Sequence, residues 1–406
     1  MGATAARPST LAAFGSRDFR LLWGGQAVSL VGDAAFLVAL GWRVTEMTGD
    51  AGKLGFVLAV NSVALLATLL LGGVLADRYP RRLLMICSDL ARACVAVAFF
   101  VLDATGHLGF GGIVVLAGLF GLGDGFFYPA FSGIVPLVVE QPILPSANSW
   151  IGIARQGSAV AGPALAAGLY GTTGPSAVWA LEAGSFLVSA TALGLARPRA
   201  VPTERHGLRS ELATGFRYVV GVPWLWTGIG SATLILMIAM APYNVLLPHV
   251  VQDHYGRGVG SYGLLFSLIA AGMVAGSLSW ARWHPRRGRI ALCFGAFGVN
   301  DVGIVLVALS PWYWLACVAV VWRGFWIGIG LAAWTTLVTE LVPEHLLARV
   351  FSFDYFGSMG LTPVGYALAG AVAAAVAPTT VLAVGGAVAC VLWFVPLGWR
   401  RVRLAA

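Results

Sequence analysis

Gly73-Val74-Leu75-Ala76-Asp77-Arg78-Tyr79-Pro80-Arg81-Arg82 lies between two long apolar stretches. One carboxylate and three guanidiniums crowd a connection too short to be a domain. Such a loop stays small, wet and charged where two membrane helices turn at the cytoplasmic face. Outward from it, apolar runs recur along the chain, each long enough to cross roughly 30 Å of hydrocarbon. Twelve are read, at 20–46, 53–77, 83–103, 110–138, 147–171, 174–196, 224–250, 260–283, 290–310, 313–341, 349–376 and 379–399. They do not alternate in hydrophobicity as barrel strands would, and lipid offers no partner to an open strand edge, so each is a helix. The 406 residues are 59% hydrophobic and only 10% charged, against about 25% charged in an ordinary soluble domain.

The net charge of +8 is not a nucleic-acid footprint. Arginines gather in the N-terminal tail (Arg7, Arg17, Arg20), the second connection (Arg78, Arg81, Arg82) and the middle of the chain (Arg197, Arg199, Arg205, Arg209, Arg217). They return at Arg282, Arg286, Arg287, Arg289 and Arg349, and at Arg400, Arg401 and Arg403. All fall on one side of the predicted membrane, and the other side has little beyond Arg43, Lys53 and Arg257. That asymmetry predicts both termini in the cytoplasm. No small-residue cleavage site follows the first apolar run, which reads as a retained helix and not a signal peptide. Cys87, Cys94, Cys293, Cys317 and Cys390 all lie inside apolar runs and read as packed free thiols, with no metal site and no cofactor motif.

The longest polar stretch, 197–222, has six runs before it and six after. It is expected to be a cytoplasmic linker with a short amphipathic helix near 211–220, joining an N-terminal bundle (1–196) to a C-terminal one (223–406). The halves echo each other. Gly73-x-Leu75 returns as Gly276-x-Leu278 and Pro80-Arg81-Arg82 as Pro285-Arg286-Arg287, with Trp280 where Asp77 would stand. Parallel halves of this kind place a transport site near midplane between them. Gly121/Gly125, Gly272/Gly276 and Gly324/Gly328 have the small-xxx-small spacing that lets helix backbones approach.

The loop motif resembles the connection between the second and third helices of major facilitator superfamily transporters. Further stretches are similar to its bacterial macrolide-efflux and enterobactin-exporter branch: Phe19-Arg20-Leu-Leu-Trp23-Gly-Gly-Gln26, Gly123-Asp124-Gly125-Phe126-Phe127, Leu144-Pro-Ser-Ala147-Asn148-Ser149, Gly215-Phe-Arg217-Tyr218, and Val342-Pro343-Glu344-x-Leu346-x-x-Arg349-Val350. The resemblance runs nearly the full length. It implies twelve helices in two pseudo-symmetric six-helix bundles, an all-α membrane fold, in a bacterial plasma membrane. It also implies that Gly73, Asp77, Arg78, Arg81 and Arg82 form a cytoplasmic gate, with Asp77 near the start of the eleventh span and Arg81 and Arg82 tied to carboxylates. Gly162-Pro163 resembles the fifth-helix antiporter motif and would be a hinge, although Ala166 and Ala167 stand where paired glycines are usual.

Ionised side chains are costly in a bilayer, about 2.5–3.5 kcal/mol at its centre, and usually face a wet cavity or a partner. Gln26, Ser29 and Asp33 follow i, i+3, i+7 spacing with Phe36 and make one polar stripe on the first helix. Asp124 shares a face of the fourth with Tyr128 and Phe131, and Arg155 is the candidate counter-charge from the fifth. These residues, with Phe127 as a further wall and Arg323 from the second half, are the expected substrate and proton cavity. Spans three, six, nine and twelve are peripheral in the resembled fold. Asp89 and Arg92 therefore read as a local pair near the cytoplasmic end of span three, Glu182 as an interface residue, and Asp301 as outside the cavity.

No HExxH, Gly-x-Ser-x-Gly or Walker loop occurs, so an enzyme or an ATP-driven pump is not expected. The expected function is proton-coupled efflux of a drug-like or natural-product compound by a monomer in the lipid bilayer. Uptake of a small metabolite, and a non-transporting scaffold or receptor, are the alternatives. Partners are then a small-molecule substrate and protons, with no nucleic acid.

Overall fold

Residues 11–199, 208–283, 285, 287–343 and 346–403 are described by the structure, a computed structural model. They are helical throughout, with no strand among the described residues. In chain order the helices are α1 (Arg17–Thr48), α2 (Ala51–Arg78), α3 (Arg81–Ala104), α4 (Phe110–Val138), α5 (Leu144–Thr173), α6 (Pro175–Leu195) and α7 (Leu208–Gly221). There follow α8 (Pro223–His254), α9 (Val259–Trp283), α10 (Arg289–Leu309), α11 (Tyr313–Leu341), α12 (Arg349–Ala373) and α13 (Pro378–Gly398). Eleven of these are long and apolar enough to cross a membrane. The expected fifth span falls short only in hydropathy. As α5 it is a continuous 30-residue helix, about 45 Å at 1.5 Å per residue, diluted by its Ser, Gly, Asn and Arg residues. α7, the expected amphipathic piece, is a helix of 14 residues.

Contacts divide the chain into two units, one of Met1–Ala39 and Val60–Arg205, the other of Leu40–Ala59 and His206–Ala406. In the first unit, glycines set the approach of its helices. A Cβ on Gly25 would lie 2.9 Å from the Ala192 methyl, and one on Gly32 would overlap the Glu182 carboxyl. These two glycines, seven residues apart on α1, let α6 lie close along it. Gly72, Gly121 and Gly125 do the same between α2 and α4: their Cβ positions fall 2.2–2.6 Å from opposing backbone oxygens. Gly162 carries α5 onto α1, 2.8 Å from the Val31 oxygen, and α5 runs unbroken through Pro163.

In the second unit the same device joins α9 to α11. Gly272 and Gly324 face each other at 3.1 Å, and Gly276 and Gly328 meet opposing carbonyls. The small-residue spacings read from the sequence are thus packing seams. Trp280, the residue in Asp77's place in the repeat, is 3% exposed and donates its indole N–H to Thr336 at 3.3 Å. α8 is interrupted by two π-helical turns, Leu236–Met240 and Val250–His254.

Candidate functional site

The first unit collects its charges around Arg92. This residue lies halfway along α3, 2% exposed, and not at the cytoplasmic end where the sequence reading put it. Its Nη2 donates to Asp89 Oδ1 at 2.6 Å and its Nη1 to Asp124 Oδ1 at 2.8 Å. Asp33 Oδ1 is 3.8 Å from the same Nη1. The guanidinium carbon sits 4.4 Å from the Phe127 ring centre and 4.2 Å from that of Phe186. Two aromatic faces thus sandwich a cation whose edges are held by carboxylates, and a desolvated cation–π contact is worth about 2 kcal/mol.

Gly123, Asp124, Gly125 and Phe127 each have a separate part in this junction. A Cβ on Gly123 would be 2.5 Å from Arg92 Cγ, so Gly123 makes room for the arginine stem. Asp124 then meets its head, Gly125 admits α2, and Phe127 stacks one helical turn later. Ser88 fastens the same junction by donating to the Gly123 carbonyl at 2.7 Å.

α6 supplies a second tier. Gln26 Nε2 donates to Ser189 Oγ at 2.8 Å, and Ser189 donates to Asp89 Oδ2 at 2.6 Å. Glu182, seven residues before Ser189 and fully buried, fills the space that Gly32 leaves beside α1. Its carboxyl lies beside that of Asp33, and Ser185 donates to it at 3.2 Å. Three carboxylates therefore pair with one guanidinium and a fourth carboxyl, Glu182, adjoins Asp33, all near the middle of their helices.

Several expectations are corrected. The counter-charge of Asp33 and Asp124 is Arg92, not Arg155. Arg155 is exposed, with its guanidinium 5.7 Å above the Phe131 ring, and makes no ion pair among the described residues. Phe131 is buried against Phe127 in the apolar core, while Tyr128 is 43% exposed. Among the described residues the partners of Arg81 and Arg82 are backbone carbonyls. Arg81 donates to the Gly133 oxygen, and Arg82 to those of Leu193, at 2.7 Å, and Gly194. The last two are unpaired carbonyls at the C-terminal end of α6, where the helix dipole favours a cation. Arg78 is exposed, Gly73 faces open space, and the side chain of Asp77 lies outside the described residues.

In the second unit Arg323 is 1% exposed. Its Nη2 donates to the Met240 sulfur at 3.0 Å, and its guanidinium lies 4.1 Å from the Tyr243 ring centre. Asp301 is also buried, on α10, and accepts from Asn300 at 2.9 Å. Asp354 accepts from Trp334 at 2.7 Å. No group of metal-binding side chains occurs among the described residues.

What the sequence reading missed is the part played by α3 and α6. A peripheral helix still has one face towards its bundle. Ser88, Asp89, Arg92, Ala96 and Phe99 mark that face at helical spacing on α3, as Glu182 and Ser189 do on α6. The periodicity is present in the sequence, and only the peripheral place that the resemblance gives those spans argues against it.

Among characterised proteins, macrolide efflux protein A of Streptococcus pyogenes is 24% identical over 350 residues, covering 82% of this chain and 84% of that one. The enterobactin exporter EntS of Escherichia coli is 26% identical over 378 residues, covering 91% and 88%. Among solved structures, the nucleoside transporter NupG superposes with a TM-score of 0.75 at 11% identity, over 94% of this chain and 99% of that one. A bacterial homologue of the iron transporter ferroportin does so at 0.70 and 16%, over 93% and 98%. Such identities carry the fold and not the cargo. The sequence model of the Major Facilitator Superfamily matches residues 22–363, and with its fold this establishes that the chain is an integral membrane transporter of the major facilitator superfamily, not an enzyme.

Proposed function

We propose that the protein is a proton-coupled exporter of an amphipathic drug-like or natural-product compound in a bacterial plasma membrane, working by alternating access. The observation that carries the proton reading is the ratio of four carboxyls to one guanidinium in the first unit. Fully ionised, the cluster would hold three uncompensated negative charges in a region where even one is costly. Asp33 and Glu182 lie side by side, and two neighbouring carboxyl groups in a dry site avoid repulsion when one of them carries a proton. Asp33 is also the most accessible of the four, its side chain 31% exposed, which suits a group that exchanges protons with water. Asp124 and Asp89, clamped by Arg92, hold the cation whose attraction shifts as Asp33 loads and unloads.

Export is supported by the relatives, one named for macrolide efflux and the other for enterobactin export. Exposed Arg155 and Tyr128, beside buried Phe131, offer a cationic and aromatic rim to such a compound. Gln26 belongs to the relay behind Asp89, and Arg323 to the second unit's side of the path. Gly73, Asp77, Arg78, Arg81 and Arg82 are assigned to a cytoplasmic gate, and Gly162-Pro163 to flexing of α5. Both termini and the 197–222 linker are assigned to the cytoplasm, between bundles at 1–196 and 223–406, and the monomer is taken as the working unit. The test is a panel of antibiotics, siderophores and metabolites in efflux-deficient cells with and without the protein, repeated with the proton gradient collapsed. Gradient-dependent protection against some member of the panel is expected. Accumulation of a panel compound driven by this protein would reverse the direction.

A further inference from the structure

Arg323 is a buried cation whose charge is balanced only from beyond ion-pair distance, by the buried Asp301 of the neighbouring α10. Its Nε and Nη1 meet no hydrogen-bond partner, and its Nη2 is spent on a thioether, a weak acceptor. None of the ion pairs among the described residues includes it. A guanidinium cannot shed its charge inside a protein as a carboxylic acid can by taking up a proton. Arg92, equally buried, shows how this chain treats a cation that belongs to the framework: three carboxylates and two rings surround it. Arg323 has one aromatic face, a thioether and the more distant Asp301. That face is Tyr243, presented with Met240 at the end of the π-helical turn Leu236–Met240, a kind of helix defect that recurs at functional sites. Beyond it, Asn244 donates to the Tyr366 hydroxyl at 3.2 Å.

We infer that Arg323 is the anchor for a carboxylate carried by the transported compound, with Tyr243 as the aromatic wall against which that compound's ring packs. An arriving carboxylate would take the unpaired N–H groups, which a planar guanidinium fork fits well. The inference rests on Arg323 belonging to the substrate path. It does not depend on the proton cluster of the first unit or on the direction of transport.

The test uses the full-length protein purified in detergent, with benzoate as the probe. Benzyl alcohol is its neutral counterpart, and sodium chloride matches the ionic strength. Benzoate is expected to raise the thermal unfolding midpoint with dose, as any ligand that binds only the folded state does, whereas benzyl alcohol and chloride do not. The shift should vanish in Arg323→Gln and survive in Asp301→Asn. Arg323→Lys, which keeps the charge but loses the fork, should raise the half-maximal benzoate concentration at least tenfold, and it serves if the glutamine variant does not fold. No shift in the unsubstituted protein, an equal shift in Arg323→Gln, or an unchanged half-maximal concentration in Arg323→Lys overturns the assignment. So does repair of the Arg323→Gln defect by Asp301→Asn, which would make Asp301 the partner of the cation. Binding of benzoate by a protein whose first-unit acids have been neutralised would show the two sites to be separate.

Discussion

Gly123 and Arg92 compete for one volume: a Cβ on the glycine of α4 would lie 2.5 Å from Cγ of the arginine on α3. The backbone of one helix is thus cut away where the charged side chain of its neighbour crosses it. The carboxylate of the next residue, Asp124, then meets the arginine's head at 2.8 Å. The two observations make Gly123 a condition for the charge cluster.

Gly123→Ala is therefore expected to destabilise the protein by about 1–3 kcal/mol, the usual cost of overpacking a filled interior. Gly125→Ala should cost as much or more, because its Cβ would meet the Leu65 carbonyl at 2.6 Å. Gly157→Ala and Gly168→Ala on α5 face open space and should be neutral or stabilising by up to about 1 kcal/mol, the helix preference for alanine. Thermal unfolding of the four variants in one detergent checks the ranking, and equal behaviour of Gly123 and Gly157 would remove the steric account.

Arg92→Gln leaves buried carboxylates without their cation. Removing one partner from a buried ion pair costs about 3–5 kcal/mol, enough to lower yield and unfolding temperature together. Adding Asp89→Asn and Asp124→Asn to Arg92→Gln should recover part of the loss, since the charge left behind is the source of the cost. Arg92→Lys should fall between the two. A lysine cannot reach both carboxylates with a planar fork or stack in the same way between Phe127 and Phe186.

Much of this arrangement is legible in the sequence. Period and hydropathy marked the helices because lipid permits little else, and the glycine spacings became seams because helices without a hydrophobic drive between them approach through small residues. Asp33, Asp124 and Gln26 stood out because a polar group in an apolar run needs a reason. What failed was pairing. Chain order makes Arg155 as good a partner for Asp124 as Arg92, and only helix rotation decides between them. The rotation of α3 depends on Gly123 and Ser88, and that of α6 on Gly25 and Gly32. Those four small residues carry no chemistry that a motif search would notice.

Topology follows from the arginine asymmetry. In a cysteine-free background, cysteine introduced at the exposed Arg217 of α7 should react with a membrane-impermeant maleimide only after the cells are opened. Cysteine at the exposed Lys53, in the first turn of α2 at the opposite end from Arg78, should react in intact cells. Labelling of the Arg217 position in intact cells would invert the protein and remove the cytoplasmic assignment of the linker.

The proton assignment makes the most exposed prediction. Asp33 and Glu182 are in carboxyl contact, Asp33 and Asp124 both approach Arg92 Nη1, and Asp33 alone is substantially accessible. Asp33→Asn should then abolish substrate-driven proton movement in proteoliposomes while leaving substrate exchange down its own gradient. Glu182→Gln keeps the hydrogen-bond donor and acceptor without a titrating proton. It should retain coupling with an altered pH dependence, because the amide can still hydrogen-bond Asp33 but can no longer share its proton. Asp124→Asn should impair coupling through the loss of one of Arg92's anchors. Its defect should grow at high pH, where an ionised Asp33 is left as the remaining claimant on Arg92 Nη1 beside Asp89 on Nη2. The measurement is the initial rate of proton movement with the exported compound, from pH 5 to 9, for the three single variants and the Asp33→Asn/Asp124→Asn pair. Normal proton-to-substrate stoichiometry in that pair would take the proton away from the first-unit cluster and leave Asp301 and Asp354 as the acids to neutralise next.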